Sequence, residues 1–393
     1  MIVRNRYLDE IRGFYDSDLI KVIVGIRRCG KSVILDTVRS EISEKTDNVI
    51  YLNFENAATL EAIGDCMGLI RYVEKNRKPG KCYVFLDEIQ LLDRWADAVK
   101  TLRLSDNSVF VTGSNSTLLS KDVLSMLSGR EVSFRIRPFV YKEIAEYAKE
   151  LGKTVTPLDY LIWGGFPKRF ETASERESIR YLSELEDTIV INDLIKRYKI
   201  KKEMLFRRIV GYVFKSNSRV FSSKSVHDYI KNEYVNCSIN TVVKYLSYLR
   251  DAFVIEEIPQ YSTKAKRDLI YYGKLYLADV CFNSLRAENN RFDLDHNLEN
   301  VVYNELVYMG YSVKLYSNAG KEIDFMANKG GKIYFIQVAY SVVDGKAYGR
   351  EMAAFNNMDN SAQKILITTD DIDYSTSTVR HIRFSDFLMM QEL

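Results

Sequence analysis

Two short stretches of this chain carry the residue types needed to hold and cut a phosphate anhydride. Gly25-Ile26-Arg27-Arg28-Cys29-Gly30-Lys31-Ser32 fits G-x-x-x-x-G-K-[ST]. In that pattern the glycines let successive backbone NH groups turn inward on phosphate oxygens, and the following helix offers its positive end to the same anion. Lys31 would stand at the β and γ phosphates and the Ser32 hydroxyl would ligate Mg²⁺. Further on, Tyr83-Val84-Phe85-Leu86-Asp87-Glu88 closes four apolar residues with paired acids. Asp87 at that strand end would hold Mg²⁺, usually through water, and Glu88 would take a proton from the attacking water. Adjacent carboxylates there are costly unless a cation shares the site.

A third run, Val109-Phe110-Val111-Thr112-Gly113-Ser114-Asn115, ends in small polar groups. Thr112, Ser114 or Asn115 could orient the water or touch the γ phosphate, and the residues alone do not choose among them. Arg130 follows a glycine at a helix end, where a guanidinium could reach a phosphate of its own or of a neighbouring subunit. Arg135 and Arg137 are its rivals. The residues expected to contact nucleotide are Gly25, Arg27, Arg28, Cys29, Gly30, Lys31, Ser32, Val33 and Ser114. Cys29 is expected to point outward from a helix amino terminus that would lower its thiol pKa, which makes redox control conceivable.

These residues need a sheet to carry them. After helix-like spacing over residues 4–15, strand and helix signals alternate: LIKVIVG, a helix from Lys31, VIYLNFE, a helix through Tyr72, CYVFLDE, a helix through Arg103, SVFVTGS and EVSFRIR. Such alternation implies a parallel sheet wrapped by helices, and near-continuous apolar strands fit burial on both faces. Around Pro138 the pattern changes to helices, with a Gly-rich step WGGFP at 163–167. The expected domains are a P-loop core over 1–138, a helical lid or connector over 139–201, a winged helix over 202–280 and a C-terminal α/β unit over 281–393.

The chain resembles prokaryotic P-loop ATPases of the AAA+ type that carry a carboxy-terminal domain of unknown function. The matching stretches are VIVGIRRCGKS, YLNFEN, YVFLDEIQ, VTGSNSTLLS, LSGREVSFRIRPF, YLIWGGFP and KEIDFMANKGGKIYFIQVAY, which together span nearly the whole length. The resemblance implies ATP as ligand, a strand order in which the Lys31 and Asp87 strands are not adjacent, and Glu88 as catalytic acid. It also implies Ser114 and Asn115 in the sensor position and Arg130 as the phosphate-sensing arginine.

In the winged helix, Ser238 is the expected N-cap of a recognition helix opened by Asn240, Thr241, Lys244 and Tyr245, with Lys264, Lys266 and Arg267 as the wing. These residue types can reach DNA, although such modules also serve as lids. The last unit is similar to the restriction-endonuclease-like fold, whose Mg²⁺ site needs a helix acid, a strand Asp and an acid-x-Lys pair. Glu299 or Glu305, then Asp324, occur in order, but the strand acid is Gln337 and the lysine position is Ala339. Cleavage would need a lysine from elsewhere, such as Lys332. A structural or nucleic-acid-docking remnant is the expected state.

Composition sets the outer bounds. The 393 residues carry a formal net charge of +3 with 28% charged and 46% hydrophobic residues, the balance of a globular protein of two to three domains. Five scattered cysteines without a C-x-x-C pair and three histidines argue against a zinc site or disulfide framework. No uncharged apolar run approaches the ~18 residues that would span a bilayer, so cytoplasmic residence without membrane insertion is expected. The reading is a Mg²⁺-dependent ATPase that moves its winged-helix and C-terminal modules, with ATP and ADP as ligands, DNA as a possible partner, and an unspecified protein partner and oligomeric state. The alternatives are a nucleotide-gated DNA-binding regulator and an ATP-regulated Mg²⁺ nuclease.

Overall fold

Five short apolar strands are hydrogen-bonded in the order β2-β3-β4-β1-β5, all parallel. They are β1 (Ile20–Val24), β2 (Val49–Asn53), β3 (Cys82–Asp87), β4 (Asn107–Gly113) and β5 (Glu131–Arg135). The computed structural model describes residues 2–115, 118, 127, 129–232, 237–261, 273–318, 321–359 and 361–393. Every residue of β1 and β4 is buried, as a strand covered on both faces requires. Because β4 lies between β1 and β3, the loops after β1 and β3 open on one edge of the sheet with the end of β4 between them. Helix α1 (Asn5–Arg12) precedes β1, and α2 (Lys31–Ser43) begins at the lysine of the glycine-rich loop.

One expected helix is two. Instead of a single helix running through Tyr72, Ala57–Ile63 stops at Gly64, and Cys66–Asn76 starts afresh with the Asp65 carboxylate accepting from Gly68 N at 2.7 Å. An aspartate at an N-cap outcompetes helix continuation because its oxygen satisfies one of the orphan NH groups of the new helix. This compact unit comprises Met1–Pro138 with Asp251–Phe253.

The second compact unit comprises Phe139–Arg250 and Val254–Leu393. It opens with helices Tyr141–Glu150, Pro157–Trp163, Glu175–Glu186 and Asp193–Tyr198. Helices Glu203–Lys215, Ser223–Asn232 and Ile239–Asp251 follow, with a three-stranded antiparallel sheet of β6 (Val220–Phe221), β7 (Ile255–Pro259) and β8 (Gly273–Leu277) in the order β6-β8-β7. The helix Leu294–Tyr308 then leads into a five-stranded sheet ordered β13-β12-β11-β10-β9. Its strands are β9 (Ser312–Asn318), β10 (Lys321–Lys329), β11 (Lys332–Val338), β12 (Gln363–Thr368) and β13 (Val379–Arg383), antiparallel from β9 to β11 and parallel from β11 to β13. The WGGFP step is pinned by Asp279, whose carboxylate accepts from Gly165 N at 2.7 Å and Cys281 N at 2.9 Å. Gly164, with φ +65°, leaves that carboxylate room: a Cβ there would stand 1.6 Å from Asp279 Oδ1.

Candidate nucleotide site

The loop between β1 and α2 is held from both sides. Gly25 lies against the chain leaving β5, where an added Cβ would come within 2.1 Å of Ile136 O, so only glycine fits. Arg4, buried at the start of α1, donates from Nη1 to Cys29 O and to Arg137 O, each at 3.0 Å, tying the loop to the residues after β5. The sequence reading missed Arg4, because nothing in its neighbours marks an arginine as buried.

At the sheet edge the acidic and basic groups converge. Lys31, 3% exposed, donates to Gly25 O at 3.2 Å and Ile26 O at 3.3 Å, and its ammonium is 3.6 Å from Glu88 Oε1. Ser32 Oγ donates to Asp87 Oδ1 at 3.2 Å. Thr112 Oγ1 donates to the same Asp87 oxygen and accepts from Glu88 N at 2.9 Å. The other Asp87 oxygen accepts from Tyr51 OH at 3.3 Å and Asn53 Nδ2 at 3.4 Å. Glu88 Oε2 accepts from Ser114 Oγ at 3.1 Å and from Gln90 Nε2. The three small polar groups at and just past the end of β4 thereby separate: Thr112 serves Asp87 and the Glu88 backbone, Ser114 serves the Glu88 carboxylate, and Asn115 is buried.

Glu88 adopts φ 52° and ψ 44°, a left-handed conformation uncommon outside glycine and of the kind that gathers at functional sites. Burial works against its charge, yet the Lys31 ammonium and the bonds from Gln90 and Ser114 hold its pKa below the usual carboxylate range. Burial pushes Asp87 the other way, upward, against the hydroxyls of Thr112 and Ser32. A buried carboxylate sharing an oxygen with a serine hydroxyl offers hard oxygen ligands, and this fits Mg²⁺. Among the described residues no group of three or more His, Cys, Asp or Glu side chains could hold a metal by itself, which leaves phosphate and water to complete such a shell.

Three expectations change. Cys29 is fully buried rather than outward-facing: its Sγ donates to Ile136 O at 3.4 Å, and burial pushes the thiol up, so it is no redox handle. Arg130 lies at the wrong end of the sheet for its own loop. Glu131 pairs with Ile20 and Arg135 with Val24, so Arg130 stands about a strand's length, ~16 Å, from the level of Gly25. Tyr245 is core, 7% exposed and edge-on to Phe206 at 5.2 Å, so it faces no DNA, whereas Asn240 and Lys244 are exposed. Arg27, half-buried, pairs with Glu55 at 2.8 Å, while Arg28, in a left-handed turn, is exposed and Val33 is half-buried. Ser238 Oγ accepts from Thr241 N at 3.2 Å. Lys264, Lys266 and Arg267, expected to form the wing, lie outside the described residues.

In the last unit the structure selects among the acids. Glu305 is a capping residue, accepting from Tyr141 N at 3.0 Å, and burial pushes its pKa up to about 8. Glu299 is the helix acid that meets the Asp324 neighbourhood. Lys332 is not there, since it pairs with Lys329 at the far turn of the β10–β11 hairpin. Gln337 turns to Glu351, donating at 2.8 Å.

A glycine-rich loop, a lysine at the head of α2 and paired acids across an intervening strand define a P-loop nucleotide-binding protein of the AAA type. Family comparison matches an AAA domain at residues 17–145, a domain of unknown function (DUF8612) at 156–289 and another (DUF4143) at 295–387. An uncharacterized protein of Haemophilus influenzae is 32% identical over 378 residues, covering 94% of this chain and 93% of that one. Another, from Methanocaldococcus jannaschii, is 28% identical over 374 residues, covering 90% and 82%. The chain belongs to the family of the Haemophilus protein, a family of AAA-domain P-loop proteins. Among solved structures it is similar to AMPPCP-bound DnaA from Aquifex aeolicus at 16% identity and TM-score 0.35, covering 64% of this chain and 89% of that one. It is also similar to a STAND-class signal-transduction ATPase from Pyrococcus horikoshii at 13% identity and TM-score 0.30, covering 79% and 45%. No helix among the described residues is long and apolar enough to cross a membrane.

Proposed function

We propose that the protein binds MgATP and hydrolyses it to ADP and phosphate, and that turnover repositions its winged-helix and C-terminal modules. The observation that carries this reading is the convergence of Lys31, Ser32, Asp87 and Glu88 at one sheet edge, with Lys31 and Glu88 ion-paired at 3.6 Å. Gly25, Arg27, Arg28, Cys29, Gly30 and Val33 would frame the phosphates with backbone groups, and Lys31 would exchange its bonds to Gly25 O and Ile26 O for phosphate oxygens. Ser32 and Asp87 would hold Mg²⁺, which when bound draws negative charge off the β and γ phosphates. Glu88 would take the proton of the attacking water, kept ionised by its neighbours and aimed by Ser114, with Asn115 sensing the γ phosphate. Arg130, exposed and remote from its own loop, would act only on a nucleotide held by a second copy.

Phosphate release by the full chain, alone and with DNA, tests the reading. Turnover in the wild type, with Glu88→Gln retaining bound ATP, is the expected result. Absence of both turnover and nucleotide binding overturns it.

The helices Glu203–Lys215, Ser223–Asn232 and Ile239–Asp251 with the β6-β8-β7 sheet support a winged-helix module. Its exposed Asn240 and Lys244 are the groups through which DNA would be met.

A further inference from the structure

A lysine does stand among the acids of the last sheet, and it comes from a different strand than its sequence neighbours suggest. Lys274 on β8 keeps only 9% of its side chain exposed, and its ammonium lies 2.5 Å from Glu322 Oε1, 2.9 Å from Glu299 Oε1 and 3.1 Å from Asp324 Oδ1. Glu299 belongs to the helix Leu294–Tyr308, and Glu322 and Asp324 to β10. The remaining contacts hold the acids in place. Tyr276 OH donates to Glu299 Oε1 at 2.5 Å, and Val338 N donates to Asp324 Oδ2 at 2.9 Å. One residue back along β11, Gln337 is 8% exposed and turns to Glu351, donating from Nε2 at 2.8 Å.

Carboxylate oxygens are the donors that hard divalent ions take, at about 2.0–2.6 Å, yet with the lysine in place these acids form no group among the described residues that could hold a metal by itself. Here the cation is part of the chain. We infer that the Lys274 ammonium is the resident cation of this carboxylate site and excludes a divalent ion from it, so that the C-terminal sheet is held to β8 by the group that keeps it free of metal.

Charge supports this assignment. Burial opposes the Lys274 ammonium, but Asp324, Glu299 and Glu322 raise its pKa above that of an ordinary lysine, so it stays protonated. Burial, with the charge of Asp324, pushes Glu299 up to about 8, and burial raises Asp324 as well. The acids are therefore short of positive charge even with the lysine present, and without it they require another cation or protons.

Full-length wild type and Lys274→Met, each with and without Asp324→Asn, are titrated with Mn²⁺ and followed by electron paramagnetic resonance and melting temperature. Wild type and Asp324→Asn are expected to bind Mn²⁺ alike. Lys274→Met is expected to gain one ion, bound at least tenfold more tightly than any wild-type ion that depends on Asp324, and to melt higher in Mn²⁺; adding Asp324→Asn should remove both effects. Glu299 and Asp324, buried without the ammonium, could prevent folding, so Lys274→Met/Glu322→Gln is the companion variant, and refolding that depends on Mn²⁺ counts as binding. The inference is overturned by a wild-type ion that Asp324→Asn abolishes, or by folded Lys274→Met that ignores Mn²⁺. It is equally overturned if neither lysine variant folds in Mn²⁺.

Discussion

The Lys31 ammonium and the Glu88 carboxylate form a buried ion pair at 3.6 Å, across two strands that are not neighbours in the sheet. Each side chain is thus held by the other. Glu88→Gln keeps the shape and the bond from Ser114 but loses the base, so hydrolysis should fall by roughly 10²- to 10⁴-fold with ATP still retained. Lys31→Ala should lose binding itself, read by nucleotide titration. A Glu88→Gln variant that turns over at the wild-type rate would remove Glu88 from the chemistry.

Thr112 serves both acids, donating to Asp87 and accepting from the Glu88 NH. Thr112→Val leaves that buried NH unsatisfied, at a cost of about 1–3 kcal/mol. Denaturant unfolding should show the loss and phosphate release should fall with it, whereas Thr112→Ser should restore both.

Lys21 on β1 is buried beneath the sheet, donating to Ser108 Oγ at 2.7 Å and Ser17 O at 3.1 Å. Burial, with Lys81 nearby, pulls its pKa down to about 7 against the opposite pull of Asp16 and Asp18. Between about 7 and the ordinary 10.5 the unfolded chain binds the extra proton. Stability from this group therefore rises with pH through that window, by at most about 1.4 kcal/mol per pH unit, and the penalty is fully present below it. Lys21→Met should be more stable than wild type at pH 6, with the gap closing toward pH 10 in melting experiments. A gap independent of pH would refute the assignment.

Gly164 and Asp279 make a steric lock, and Gly164→Ala should cost about 3 kcal/mol or more through strain and displacement of the carboxylate. Asp279→Asn turns one acceptor into a donor facing an NH and should cost about 1–3 kcal/mol. Both are read from unfolding midpoints.

Cysteine alkylation of the native protein should begin at Cys237, the half-exposed one, while Cys29, Cys66, Cys82 and Cys281 stay protected. Modification of Cys29 at the rate of Cys237 would contradict its buried placement.

Much of the nucleotide site was legible because its signals are local. A glycine-rich octamer and an apolar run ending in acids each specify their own strand end, so Lys31, Ser32, Asp87 and Glu88 could be named from composition along the chain. The support for Asp87 from Asn53 follows the same rule, a polar residue closing an apolar strand, and could have been found by it. Arg4 and Lys274 were not legible, since each acts through partners brought close by tertiary packing: Arg4 lies 133 residues from Arg137 and Lys274 lies 50 from Asp324. Which loop Arg130 could serve was not legible, because adjacency to a helix end says nothing about which edge of a parallel sheet that end reaches. Tyr245 misled because periodicity places a residue on a helix without stating which neighbour covers it.

The cap that Glu305 places on Tyr141 has a consequence for biosynthesis. The helix Tyr141–Glu150 emerges from the ribosome long before its capping carboxylate exists, separated from it by 164 residues. The β1–β5 sheet, by contrast, is complete once Arg135 has been made. The nascent chain therefore carries a finished nucleotide-binding sheet followed by a helix that waits for a residue made 164 positions later, and a ribosome stalled within that interval exposes that helix without the Glu305 cap.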